Sequence, residues 1–269
     1  MPAPTVCLTF DFDAVSPWLH MDGGDRNTPT NRSRGLYGAE VGAPNVLEFL
    51  ADRDLPATWF TPGHTVESFP EVAERVADAH ELAHHGWSHT PPGDYDSRAA
   101  ERADLERGIA AIEELTGSPP TGYRSPSWDY SEHTVDLLLD LGFDYSSSGM
   151  AREFHPYRVR HDSAPVDAPY DRGEEADLIE VPVSWGRDDY PPLAFSGSRG
   201  YTAEQVVFDD WRAQFDHAPD EGVFVVTMHP QVIGREDRLV KLGAFVDHAR
   251  DAGASFTEVR EVAAAWESG

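Results

Sequence analysis

A chain of 269 residues with 40% hydrophobic and 26% charged side chains can bury a sizeable core, as one large α/β domain or two small ones, which excludes wholesale disorder. Its 48 Asp plus Glu against 21 Lys plus Arg leave a formal net charge of −27, a field that excludes nucleic acid and anionic membranes as partners. No run of about 18 apolar residues is present, so no transmembrane helix is expected.

The first four residues lead directly into a strand-like run without a charged segment and apolar stretch of the signal-peptide kind, so a cytoplasmic location is expected. Cys7 is the only cysteine and sits among apolar residues, the setting of an inert buried thiol. Lys241 is the only lysine, and the acidic residues are spread among aromatics and aliphatics. That pattern predicts a folded, halophilic protein from a high-salt cytoplasm, where screening relieves the self-repulsion.

In chain order, residues 6–10 read as a buried strand, and Val46, Leu47, Phe49 and Leu50 recur at helical spacing. Residues 57–60 read as a second strand, 71–79 as a short helix and 81–84 as a third strand. A helix is predicted over 97–115, with Leu105, Ile109, Ile112 and Leu115 on one face and Gly117 at its end. Val135, Leu138 and Leu139 mark another, ended by Gly142. Residues 178–183 and 223–228 are two more strands. Between them Thr202-Ala203-Glu204-Gln205 has the form of a capping box opening a helix with Val207, Trp211 and Phe215 on one face. Leu239, Leu242, Phe245, Val246 and Ala249 make a closing amphipathic helix. Two stretches, 16–42 and 151–177, are rich in Gly, Pro, Asp and Arg and are expected to be long loops. Strands alternating with helices predict a parallel sheet, and the length suits a single (β/α) barrel domain spanning 1–269.

Hydrolytic side chains in such a barrel lie just past the C-terminal strand ends. Four polar clusters fall there: Asp11-Phe12-Asp13, His85-Gly86-Trp87-Ser88-His89, Tyr123-Arg124-Ser125-Pro126-Ser127-Trp128 and Met228-His229-Pro230-Gln231. Residues two apart on a strand share a side, so Asp11 and Asp13 can address one site; the bland alternative is a pair of helix-capping carboxylates. Gly86 and the prolines after His89 argue for a turn that could converge both rings, against an isolated pair of histidines. Asp13, His85 and His89 together offer one oxygen and two nitrogens, the ligand composition of an open catalytic metal site. Asp11 can then act as base, kept ionised by Arg124, and His229 as the acid for a leaving nitrogen. A surface ion pair for Arg124 and a core histidine for His229 remain the alternatives.

These motifs resemble the polysaccharide deacetylases, the NodB-homology hydrolases, over about residues 8–238. Thr9-Phe10-Asp11-Phe12-Asp13 is similar to the family's first motif, which implies a catalytic base followed by a metal ligand. The His85 to His89 spacing resembles its metal motif, Arg124 to Trp128 its base-orienting motif, and Thr227-Met228-His229 its catalytic-histidine motif. Phe12 between the two aspartates is similar to the branch that holds the Helicobacter-type peptidoglycan deacetylase, cyclic imide hydrolases and allantoinase-like enzymes. So are residues 57–63, 180–185 and 229–235. The resemblance implies a distorted barrel of about seven strands, often a tetramer. It also implies a divalent metal, zinc first with cobalt or nickel as alternatives, and Trp87, Trp128 and Trp185 as candidate substrate-binding rings. Ser146 stands where the branch commonly has an Asp, which implies either that Asp144 compensates or that the tuning of His229 differs.

The expected activity is therefore metal-dependent hydrolysis of a non-peptide carbon–nitrogen bond, on a saccharide or on a small cyclic imide or ureide. A pocket roofed by 16–42 would select the small ring, and a chain without a signal peptide is poorly placed to meet a cell-wall polymer. An Asp-x-Asp phosphatase would need a balancing lysine, and Lys241 lies within a helix pattern. A non-catalytic sugar-binding barrel is supported only by the seven Trp and nine Tyr, residues that more often fill cores.

Overall fold

The computed structural model describes residues 3–20, 25–194 and 202–267. Its first strand, β1 (Thr5–Asp11), is followed by α1 (Ser16–His20), α2 (Pro29–Tyr37), a π-helical turn over Gly38–Gly42 and α3 (Ala43–Asp52). Most of the stretch expected as a loop at 16–42 is thus helical. Its polar composition hides the signal, because α2 is started by its cap rather than by an apolar stripe: Thr28 accepts from the Asn31 N–H and Pro29 takes the first position.

The chain continues through β2 (Thr58–Thr61), α4 (Gly63–Ser68), α5 (Pro70–Ala79), β3 (Glu81–His84), α6 (Arg98–Thr116), β4 (Gly122–Tyr123), α7 (Thr134–Leu141) and β5 (Tyr145–Ser146). Then come β6 (Tyr157–Arg160), β7 (Glu175–Glu180), α8 (Tyr190–Leu193), α9 (Glu204–His217), β8 (Val223–Met228), α10 (Pro230–Ile233), α11 (Glu236–Asp251) and α12 (Val259–Glu267). The second expected loop, 151–177, contains β6 and the start of β7. The capping box at Thr202 is not formed. The N-cap is Ala203 without a side-chain bond, and Glu204 is drawn to Arg238 at 2.8 Å and Lys241 at 3.0 Å. Helix α12, absent from the sequence reading, packs Val259, Val262 and Ala263 under the sheet.

The strands form one sheet in the order β6-β7-β5-β4-β3-β2-β1-β8. Seven are parallel to their neighbours; β6 alone runs antiparallel, against β7. The expected distorted barrel of about seven strands is this curled sheet, with β6 as an added edge. A parallel bridge from Asp188 to Thr227 ties the segment after β7 to β8, drawing the two flanks together at their C-terminal ends.

Side-chain alternation on β1 sets the floor and mouth of the curl. Val6, Leu8 and Phe10 face the helices and join the larger apolar cluster with α3, α9 and α11. Cys7 faces inward, packed in a second cluster with Phe60, Ala83, Tyr145 and Val225. The same inward row then changes from apolar to polar: Thr9, Asp11 and, just past the strand, Asp13. Among the described residues no helix is long and apolar enough to cross a membrane.

Candidate active site

Asp11 is buried, and its Oδ1 accepts a hydrogen bond from Arg124 Nη1 at 2.7 Å. Every arm of that guanidinium is used. Nη1 also reaches Thr9 Oγ1 at 2.9 Å, Nε donates to the Ser147 carbonyl at 2.8 Å and Nη2 to Ser147 Oγ at 2.9 Å. Its flat face lies 4.0 Å from the Phe60 ring centroid. Burial alone would push the Asp11 carboxyl up; the charges of Arg124 and His229, with the Arg124 hydrogen bond, outweigh it and hold the group below the usual carboxylate range. Asp11 is therefore an oriented anion.

The turn after β3 brings His85 and His89 to Asp13. It depends on positive φ at Gly86 (70°) and at His89 (61°), and Asp104 fastens it by accepting from the Trp87 and Ser88 N–H groups. His85 Nδ1 donates to the Arg124 carbonyl at 2.7 Å, so its Nε2 carries the lone pair. That Nε2 lies 3.6 Å from Asp13 Oδ1, and His89 Nε2 lies 3.5 Å from the same oxygen. Asp13 Oδ1 is buried and has no hydrogen-bond partner. Burial lowers the pKa of both imidazoles. It pushes the Asp13 carboxyl up to about 8, since His229 and Gln231 only partly offset burial and the charge of Asp11. Two ring nitrogens and an orphaned carboxylate oxygen make a donor set that fits a divalent cation.

His229 follows β8 and turns Nε2 toward Asp11 Oδ2 at 4.0 Å and Asp13 Oδ2 at 3.8 Å. Its Nδ1 donates to Asp189 Oδ1 at 2.8 Å, and its backbone N–H also donates to that carboxylate. Burial would lower this imidazole, but the Asp189 hydrogen bond and the charges of Asp188 and Asp189 raise it to about 10. Asp188 Oδ1 is 3.6 Å from the same nitrogen. Neither aspartate was singled out from the sequence. They follow a 3-10 turn over Trp185–Arg187 and precede α8, so they do not stand at a strand end.

Asp11, Asp13, His85, His89, Asp188 and His229 share one cavity of about 190 Å³. Trp128 and Trp185 line it with ring centroids 4.3 Å apart, and Trp185 is 49% exposed at the mouth. Ser127 and Trp128 both have left-handed backbones, strain of the kind that clusters at functional sites. Pro17 and Trp18 of α1 also line the cavity. Trp87 does not line it, which corrects its reading as a substrate ring. The turn at Gly86 sends Trp87 outward, 3.1 Å below the Arg107 guanidinium and 5.4 Å from His64. Ser146 does not face His229 either. Its hydroxyl bonds Tyr130 Oη at 2.5 Å and Ser148 Oγ at 3.0 Å, beside a buried Glu180. The carboxylate that tunes His229 is Asp189.

The sequence profile described as polysaccharide deacetylase matches residues 1–146. A peptidoglycan deacetylase of Helicobacter pylori is 37% identical over 96% of this chain and 94% of its own. A crystal structure of a putative polysaccharide deacetylase from Mycobacterium smegmatis superposes with a TM-score of 0.86 at 32% identity, covering 99% of this chain and 91% of that one. An allantoinase shares the fold, with a TM-score of 0.78 at 21% identity over 99% of this chain and 91% of its own. With its fold and its strand-end clusters in agreement with these likenesses, the chain belongs to the polysaccharide deacetylase family, hydrolases of carbon–nitrogen amide bonds.

Proposed function

We propose that the chain is a divalent-metal-dependent hydrolase of acyl–nitrogen bonds, acting on a compact substrate that enters the pocket as a single ring. One observation carries this reading: a ligand triad, an ion-paired carboxylate and a carboxylate-backed imidazole open into the same cavity. Asp13, His85 and His89 would hold the cation, and their N₂O set suits zinc, with cobalt or nickel as alternatives. A cation bound there supplies Lewis acidity, polarising an acyl oxygen and lowering the pKa of water. Asp11, kept anionic by Arg124, accepts a proton from the attacking water. His229, kept protonated by Asp189, gives a proton to the nitrogen as the C–N bond breaks. Opening a cyclic imide or ureide in this way gives one product that carries both the new carboxylate and the released amide or urea nitrogen, whereas an N-acetylated sugar would give acetate and a free amine.

The cavity favours the small-ring reading over a polymer. At about 190 Å³ it lies below the roughly 300–1,000 Å³ of most ligand pockets, and Trp18 helps to line it. The relative from Helicobacter pylori is named for peptidoglycan, so N-acetylated sugars stay in the comparison. The deciding experiment is a turnover screen of cyclic imides, ureides and N-acetylated sugars with added Zn²⁺, Co²⁺ and Ni²⁺. Metal-dependent ring opening is expected. Faster release of acetate from the sugars would reverse the substrate order, and an inert protein across the panel would remove the hydrolase reading.

A further inference from the structure

We infer that Gln231 is a positioning residue for the metal site, fixing Asp13 so that one carboxylate oxygen is left for the cation. The inference rests on the assignment of Asp13, His85 and His89 as ligands. Gln231 Nε2 donates to Asp13 Oδ2 at 3.3 Å. The other oxygen, Oδ1, is the one without a partner, and both ligand imidazoles approach it. A carboxylate free to rotate would exchange the two oxygens; one tied by a single donor presents the same oxygen each time.

The tie is itself supported from outside the site. Gln231 lies in α10, and the π-helical turn Gly38–Gly42 packs directly against that turn of chain. A Cβ on Gly38 would sit 3.1 Å from Gln231 Cβ and 3.2 Å from its Oε1, and a Cβ on Gly42 would sit 2.1 Å from the Pro230 carbonyl oxygen. Only glycine permits an approach this close at Gly42. Tyr37 Oη and Asn45 Nδ2 both donate to the Gly234 carbonyl, fastening the far end of α10 to the same wall. Single π-turns inside helical runs are uncommon and recur at functional sites. Here the widened turn holds the side chain that holds the ligand. Gln231 Oε1 is buried without a partner, so the amide is kept in place by packing and its one bond to Asp13.

The test is a Co²⁺ titration of the metal-stripped full chain, read from the visible ligand-field absorption, for the wild type, Gln231→Met and Gln231→Leu. Met keeps the length of the side chain and removes the donor. Both variants are expected to bind Co²⁺ about 10–100-fold more weakly, with a displaced absorption band and an unchanged unfolding midpoint of the metal-free protein. Wild-type cobalt affinity and spectrum in Gln231→Met would overturn the inference, as would a raised KM with cobalt binding intact, which marks a substrate contact instead. A wild type that takes up no Co²⁺ would overturn the ligand assignment first and this inference with it.

Discussion

Arg124 and Asp11 form an ion pair at 2.7 Å from which solvent is excluded on both sides. Removing one partner of such a pair leaves a buried charge uncompensated, which typically costs about 3–5 kcal/mol. Arg124→Met is expected to lose stability on that scale, measured from urea unfolding. Arg124→Lys keeps the charge but cannot span Asp11, Thr9 and Ser147 at once. It is expected to fold and to lose turnover by about 10². A lysine variant with normal rates would show that only the charge matters.

Asp11 itself separates base from ligand. Asp11→Asn keeps the shape, removes the proton acceptor and leaves Asp13, His85 and His89 in place. Metal retained after dialysis is expected to match the wild type while turnover falls by about 10² or more. Loss of the metal together with the activity would move Asp11 into the ligand set.

His229 carries the pH dependence. Its imidazole is raised in the folded chain from an ordinary value near 6.5 to about 10. The folded protein therefore holds this proton more tightly than the unfolded chain does. The resulting stability is full below about pH 6.5 and drains away as pH rises toward 10. In Asp189→Asn the main cause of the upward shift is gone. Urea midpoints between pH 6 and 10 are expected to become flatter, and the basic limb of the rate profile to move to lower pH. An unmoved limb would assign that limb to another group.

How much of this could be read from the sequence follows from the range of each interaction. Asp11, Asp13 and the strands that carry them obey a two-residue period, a local property. His85 and His89 were legible because a glycine turn joins them over a few residues. Trp87, inside the same turn, was misplaced because its direction depends on a positive φ at Gly86 that motif spacing does not encode. Asp189 acts on His229 across 40 residues of chain, through a bridge between the segment after β7 and β8. Periodicity has no access to such a pairing. The helices at 16–42 escaped for a related reason: they are held by caps and close glycine contacts, and carry little apolar stripe.

Metal removal is expected to separate site from scaffold. A cation at 100 times its dissociation constant stabilises the fold by about 2.7 kcal/mol. Chelation should therefore lower the melting temperature and abolish turnover, with both restored by added Zn²⁺ or Co²⁺. His85→Ala and His89→Ala are expected to retain no metal after dialysis and to show no such shift. A variant that still responds to chelator would place the cation elsewhere.

Salt tests the charge rather than the site. With 48 acidic against 21 basic side chains, even complete pairing leaves 27 negative charges without a partner. Surface pairs such as Arg98–Asp140 and Arg102–Glu106 weaken as salt rises. Net repulsion weakens as well, because the screening length falls from about 10 Å at 0.1 M to about 3 Å at 1 M. The excess of unpaired acids makes repulsion the larger effect, so the urea midpoint is expected to climb with KCl up to molar concentrations. Equal stability in dilute buffer and molar KCl would mean that the surface acids are spaced widely enough for water alone to screen them, and the high-salt habitat would lose its support.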